Sequence, residues 1–247
     1  MVVDHSFADL SLAALNDGLN PWGAGDNLCL KLVMSARAVL DVGCGTGRLL
    51  HRARRDGHAG RLMGIDPAPA MLVQARQREP GVEWALGELR TVAWHGEFDL
   101  VVMTGHAFQV LVTDEELRLA LRAVRAALAP EGRFVFETRN PAARAWATWT
   151  PDRERRLTAP DGSVVRVWHE VEGAPVAGRV TFTEAFAGGC WPQPQVSRTT
   201  LRFLDGDALS GFLASAGLTV AERYGDWDRS PLTSASPEII TVARPTH

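Results

Sequence analysis

Residues 39–50, Val39-Leu40-Asp41-Val42-Gly43-Cys44-Gly45-Thr46-Gly47-Arg48-Leu49-Leu50, read as an apolar strand that enters a glycine turn and leaves as a helix. Such a turn offers backbone N–H groups to an anionic or nucleoside ligand. The glycines fall at alternate positions, 43, 45 and 47, whereas a dinucleotide-binding GxGxxG turn requires glycine at 48, where Arg48 stands. That last glycine lets helix and strand close around a pyrophosphate, so its absence, with the acidic Asp41 opening the motif, argues against NAD or FAD. No Gly-Lys-Ser/Thr follows, which excludes a Walker-type phosphate loop. Nineteen residues beyond Gly47, Asp66 ends the apolar run LMGID, where a carboxylate accepts hydrogen bonds from both hydroxyls of a ribose. Together the two features describe a ligand with a nucleoside and no phosphates. The plainer alternatives are a tight strand-to-helix turn without a ligand, and an Asp66 helix cap with Pro67 at the first helical position.

Outward from this stretch, strand-like runs alternate with helix-periodic segments from residue 26 to about 140, the pattern of a parallel sheet covered by helices. The strands read as Ala38 to Val42, Leu62 to Asp66, Val82 to Leu86, Phe98 to Thr104 and Arg133 to Thr138. Thr113 to Leu128 is the clearest helix: Thr113 and Glu116 form a capping box, and Leu117, Leu121, Val124 and Leu128 make its apolar stripe. Ala129-Pro130-Glu131-Gly132 is expected to end it in a turn. After Asn140-Pro141 the texture changes, with four of the eight tryptophans between 146 and 191 and alternating segments that predict a three-stranded antiparallel insertion, whose first turn is Glu172-Gly173-Ala174-Pro175. A helix over Asp207 to Ala216 and strands near Leu218 to Tyr224 and Glu238 to Ala243 resume the main pattern. The reading is α/β, one doubly wound domain: a core of residues 1–140 and 205–247, and an inserted β-subdomain over 141–204 that lids the substrate.

Composition narrows the partners. Twenty-six Lys plus Arg against 29 Asp plus Glu give a net charge of −3, without the positive excess that a phosphate backbone requires, so no nucleic-acid partner is expected. Cys29, Cys44 and Cys190 are odd in number and lack CxxC or Cys/His spacing, so neither a disulfide framework nor a zinc site is expected and a reducing, cytoplasmic setting fits. No basic stretch precedes an apolar run at the N-terminus and no apolar stretch approaches the roughly 18 residues of a spanning helix, so neither export nor a membrane is expected.

The acidic residue followed by GxGxG, matched by Asp41, Gly43, Gly45 and Gly47, resembles the first motif of class I S-adenosylmethionine-dependent methyltransferases of the small-molecule type. Asp66 is similar to that family's ribose-binding carboxylate, FDLVVMTGHAFQVL to its fourth strand, LAPEGRFVFETRNP to its fifth, and YGDWDRSPLTSASPEIITVARP to its closing hairpin. The resemblance implies a Rossmann-like sheet with a C-terminal antiparallel hairpin and S-adenosylmethionine as cofactor. It implies that Gly43 and Gly45 approach the methionine part of the cofactor, with Cys44 in the same turn and Asp41 near the amino group. Gly87, Glu88 and Leu89 match the segment beside the adenine, Pro67 follows the ribose carboxylate, and Met71 either lies on the adenine face or belongs to the core. Thr104 stands at the mouth beside the methyl group, and Trp22, in a region that folds over the cofactor in similar enzymes, shields the site.

A sulfonium methyl is already a strong electrophile, so transfer requires chiefly that the nucleophile be held near it in a site closed to water. A base helps when the acceptor is an alcohol, phenol or protonated amine. At the end of the fourth strand, His106 is the residue whose type suits that role, with a pocket-shaping hydrogen bond as the equal alternative. Glu137, Arg139 and Asn140 leave the fifth strand near the same mouth, as substrate contacts or as caps and ion pairs. His169 reads as a half-buried strand histidine, Trp146, Trp149, Trp168 and Trp191 mostly as the insertion's small core, and Arg52, Arg54 and Arg55 as a solvated helix face. The leading function is methyl transfer to an oxygen or nitrogen of a small molecule, by a monomer or homodimer that needs no metal. A nucleic-acid methyltransferase is the first alternative, although Met103-Thr104-Gly105-His106 stands where base-amine enzymes usually carry an Asp, Asn or Ser, two prolines and an aromatic. A silent S-adenosylmethionine-binding protein is the second, and an NAD-dependent oxidoreductase the last.

Overall fold

All the strands of the main pattern pair in one sheet in the computed structural model, which describes residues 3–189 and 191–246. In chain order they are β1 (Ala38–Val42), β2 (Arg61–Asp66), β3 (Glu83–Leu86), β4 (Phe98–Met103), β5 (Leu128–Arg139), then, beyond the insertion, β10 (Leu218–Tyr224) and β11 (Glu238–Pro245). Their order across the sheet is β10-β11-β5-β4-β1-β2-β3, with β11 antiparallel to both its neighbours and the remaining pairs parallel. The order reverses between β1 and β4, so the loops leaving these two strands diverge and open the crevice in which α/β sheets bind ligands.

Four helices precede β1: α1 (His5–Ala8), α2 (Leu10–Ala13), α3 (Asn16–Leu19) and α4 (Ala24–Ser35). The crossovers carry α5 (Arg48–Arg55), α6 (Pro69–Arg78) and α7 (Asp114–Ala127), and α8 (Gly206–Ser215) precedes β10. One face of the sheet buries Leu117, Leu121 and Val124 of α7 and Leu209 and Leu213 of α8 against Phe98, Val101, Phe134 and Phe136. The other buries Cys29 and Val33 of α4 and Leu49, Leu50 and Ala53 of α5 against Val39, Leu62, Leu100, Val102 and Val135. Strands buried on both faces explain why β1 and β4 read as continuous apolar runs. The capping box of α7 forms as the sequence indicates, with Glu116 N donating to Thr113 Oγ1 at 3.1 Å and Thr113 N to Glu116 Oε2 at 2.9 Å.

Three features differ from the sequence reading. The turn expected at residues 129–132 is part of β5, which starts at Leu128 directly after α7 and shifts register against β4 between Phe98 and Leu100. Pro130 has no N–H to pair and Gly132 has no side chain, whereas a Cβ there would lie 2.8 Å from Phe98 O, so the chain hugs β4 through an irregular stretch. The insertion has four strands, not three: β6 (Arg155–Thr158), β7 (Val164–Val171), β8 (Arg179–Gly188) and β9 (Trp191–Arg202), in sequential antiparallel order. Strand β6 is four residues long and mostly exposed at the sheet edge, so RRLT carries no alternation to betray it, and the first hairpin turn spans 159–163 instead of Glu172–Pro175. Finally, α1 to α3 lie between the two sheets: Leu12 and Leu15 pack with Val165, Val167 and Phe186, and Ala13 packs with Ala68, Ala70 and Met71. Helices of four residues are not stable alone, and this double contact supplies their order.

Among the described residues no helix is long and apolar enough to cross a membrane. Cys29 and Cys44 are free and buried, and Cys190 lies outside the described residues.

Candidate active site

The glycine turn hangs from the end of β2, with Gly43 N and Cys44 N both donating to Ile65 O at 2.8 and 3.3 Å. Gly43, Gly45 and Gly47 all have positive φ, at +72°, +54° and +72°, which is why side chains are excluded from alternate positions. The three glycines differ in their surroundings. A Cβ on Gly43 would meet Ala107 Cβ at 2.9 Å, one on Gly47 would strike the Trp84 ring at 2.4 Å, and one on Gly45 would meet nothing within 4 Å. The backbone of Gly45 is therefore open to close approach by a ligand.

Asp66 closes this turn from the side. Its Oδ2 accepts from Gly45 N and its Oδ1 from Ala68 N, both at 2.8 Å, leaving a second lone pair on each oxygen for hydroxyl donors. Burial pushes its pKa up, and the two backbone donors partly offset that. Pro67 is not the first helical residue, because α6 begins at Pro69 with Ala68 as its cap. Asp41, at the end of β1, is 1% exposed, and its Oδ1 is buried with no hydrogen-bond partner. Burial, followed by the nearby charges of Asp66, Glu137 and Asp26, raises its pKa to about 8. A buried carboxylate oxygen without a donor, next to an open glycine backbone, fits the ammonium of an amino-acid moiety, which would supply both the missing donor and the compensating charge.

Around the turn, Cys44 is buried beside Leu72, Ala75 and Trp84. Met71 is 2% exposed among Ala13, Ala68 and Ala70, a core environment. Gly87, at φ +151°, donates its N–H to Asp66 O at 3.0 Å, which holds the Gly87-Glu88-Leu89 segment beside the ribose carboxylate. Glu88 pairs with Arg90 at 2.5 Å, and this bond holds its carboxyl below the usual range; Leu89 is buried in the core. Trp22 donates Nε1–H to Asn27 Oδ1 at 2.8 Å and stacks its ring under the Arg48 and Arg52 guanidinium groups at 5.5 and 5.6 Å. Arg52 thus covers an indole as well as pairing with Asp56, and Arg54 bonds the carbonyls of His58 and Gly60, so of Arg52, Arg54 and Arg55 the first two have structural partners beyond solvent.

At the mouth, Thr104 is half-buried where β4 ends, and His106 sits in the left-handed region at φ 62°. Two glutamates hold it. His106 N donates to Glu137 Oε1 at 2.8 Å, and its ring Nε2 lies 3.1 Å from both carboxylate oxygens of Glu238. Glu137 is 2% exposed, and burial raises its pKa against the opposing pull of His106. Arg139 is anchored by Gln109, whose Oε1 accepts from its backbone N at 3.3 Å and its Nη1 at 3.0 Å, while its guanidinium lies 5.4 Å from the centre of the Trp149 ring. Asn140 caps the following turn and bonds the carbonyls of Thr233 and Ser236, a structural role. Glu238 and Gln109 escaped the sequence reading. Glu238 lies 132 residues beyond His106 and is brought in only because β11 pairs antiparallel with β5, setting Glu238 opposite Arg139.

The tryptophans of the insertion pack as a core. Trp146 meets Phe203 at 4.6 Å, Trp149 meets Phe182 at 4.7 Å, and Trp191 donates to Ser11 Oγ at 3.2 Å. Trp168 is half-buried on β7, and His169 pairs through Nε2 with Glu184 Oε1 at 3.2 Å.

A doubly wound sheet with one antiparallel strand next to its edge, and an acidic GxGxG turn at the switch point, are features of the class I S-adenosylmethionine-dependent methyltransferases, and the comparisons with known proteins support that class. Residues 39–132 match the model of a methyltransferase domain family. Over 219 residues, 85% of this chain and 83% of the relative, it is 25% identical to the cypemycin N-terminal methyltransferase of a Streptomyces species. The structure of S-adenosylmethionine-bound CalS10, an amino pentose methyltransferase from Micromonospora echinaspora, is 26% identical with a TM-score of 0.68, covering 94% of this chain and 95% of that one. The CcbJ methyltransferase from Streptomyces caelestis shares the fold at a TM-score of 0.75 and 21% identity, over 97% and 100% of the two chains.

Proposed function

We propose that this chain transfers the methyl group of S-adenosylmethionine to an oxygen or nitrogen of a small-molecule acceptor, in the cytoplasm, as a monomer or homodimer. The observation that carries the reading is the partnerless, buried Asp41 Oδ1 beside the open backbone of Gly45, with the Asp66 carboxylate on the far side of the same turn. Asp41 takes the ammonium, the Gly43-Cys44-Gly45 backbone lies along the methionine part, and Asp66 takes the ribose hydroxyls. The Gly87-Glu88-Leu89 segment flanks the adenine. When bound, the cofactor supplies an electrophilic sulfonium methyl, so this chain's part is to orient an acceptor, exclude water and accept a proton. Thr104 and His106 border the methyl position, and the insertion closes the acceptor side, with Trp149 under Arg139 linking the two sheets. The amino pentose named for CalS10 supports a small acceptor held in this way. The buried free thiols of Cys29 and Cys44 support a reducing compartment.

Calorimetry with S-adenosylmethionine, S-adenosylhomocysteine and NAD tests the reading, with the two adenosyl compounds expected to bind and NAD not. The variant Asp66→Ala is expected to weaken S-adenosylhomocysteine by about 1–3 kcal/mol through loss of charge-assisted ribose bonds. Binding of NAD alone overturns the proposal. A library screen that follows S-adenosylhomocysteine release identifies the acceptor.

A further inference from the structure

His106 is fixed at both ends by carboxylates from different strands. In the left-handed region at φ 62°, its backbone N–H donates to Glu137 of β5, and its ring Nε2 is bracketed by the two oxygens of Glu238 of β11. An ionised carboxylate only accepts, so whenever the ring is neutral the shared proton sits on Nε2 and the lone pair is left on Nδ1. Among the described residues Nδ1 bonds to no protein group, yet it is not among the buried atoms that lack a partner, and the side chain keeps 22% exposure. Nδ1 therefore opens to accessible space, and the chain just before it is open as well, since a Cβ added at Gly105 would meet nothing within 4 Å.

We propose that Glu238 is the positioning residue for methyl transfer: it holds the proton of His106 on Nε2 and so makes Nδ1 the atom that receives the acceptor's proton. The inference rests on the methyltransferase reading above. As the acceptor's lone pair becomes the new bond to the methyl carbon, the sulfur–methyl bond breaks with its electrons going to sulfur. The acceptor's proton passes to Nδ1 and from there to solvent. Glu238 neither touches the acceptor nor changes protonation state; the charged groups around the ring are Glu238 itself, Glu137 and, from β5, Arg139.

Nitrogen-15 spectra of the histidine rings, with His106 assigned by the signal lost in His106→Asn, test this in the full chain. Neutral wild-type His106 is expected to show a single tautomer with an unprotonated Nδ1. In Glu238→Ala the two nitrogens are expected to average, and in Glu238→Asp the wild-type signature should largely return. With an acceptor from the library screen, Glu238→Ala is expected to lower kcat at least tenfold while KM for S-adenosylmethionine stays within twofold. A proton on Nδ1 in the wild type, or an Ala variant with wild-type kcat, overturns the proposal. Failure of the wild type to bind S-adenosylhomocysteine is a separate result: it removes the methyltransferase reading and leaves the tautomer measurement standing.

Discussion

The Trp84 indole packs against Gly47 of the glycine turn and Gly64 of β2, so that a Cβ on Gly47 would come within 2.4 Å of its ring and one on Gly64 within 2.5 Å. Its Nε1–H donates to Glu79 O at 2.8 Å, which fixes the ring in this position. The third glycine of the motif is thus required by a side chain from β3 as much as by its own φ of +72°. Gly47→Ala is expected to destabilise the fold by about 2–4 kcal/mol, combining left-handed strain with overpacking. Denaturant unfolding measures this, and Trp84→Phe should return part of the loss in the double variant, since it removes the ring edge the new methyl meets. Equal, additive losses in the two single variants would contradict the contact.

Asp41 has a pKa near 8 in the folded protein against 3.8 when exposed, so the unfolded chain ionises first. This is a raised acid: it costs the ligand-free protein stability progressively as pH rises from about 4 to about 8, and no further above that. An ammonium bound beside it reverses the preference, so binding releases up to about one proton below pH 8 and S-adenosylhomocysteine affinity rises toward pH 8. Calorimetry in buffers of different ionisation enthalpy reads that proton directly. In Asp41→Asn the proton release and the rise are both expected to vanish, while the ligand-free protein gains stability at pH 8.

The N-terminal segment is latched to the same turn by Asp17 of α3. Its Oδ1 accepts from Thr46 Oγ1 and its Oδ2 from Arg78 Nη2, both at 2.6 Å. Burial works against the charge, but the Thr46 hydroxyl and the Arg78 guanidinium more than offset it and hold this carboxyl below its ordinary range. A depressed acid contributes stability above pH 3.8 that is lost as pH falls through its lower folded pKa. Asp17→Asn is expected to cost about 1–2 kcal/mol and to raise amide exchange over residues 4–20 before any other part of the chain. Uniform exchange across the molecule would show that the latch does not hold this segment.

Much of the core was legible because its signals are local. The strand boundaries of β1 and β10 follow from apolar runs, the start of α7 from one capping box, and the cofactor turn from glycines spaced by two with carboxylates before and after. Strand β6 was not legible, since four edge residues with exposed arginines carry no periodicity. Nor were Trp84 and Glu238, whose roles exist only against glycines and a histidine that are distant in the chain.

By itself the sequence determined the doubly wound sheet, the position of its ligand turn and the phosphate-free nucleoside that the turn suits, because hydrophobic period, glycine spacing and a strand-end carboxylate act over a few neighbouring residues. Only the tertiary structure decided how the mouth is armed. The antiparallel pairing of β11 with β5 sets Glu238 against His106, and the two-sided packing of α1 to α3 ties the insertion to the cofactor turn. Strand register and long-range packing juxtapose groups more than a hundred residues apart, and no local pattern encodes that meeting.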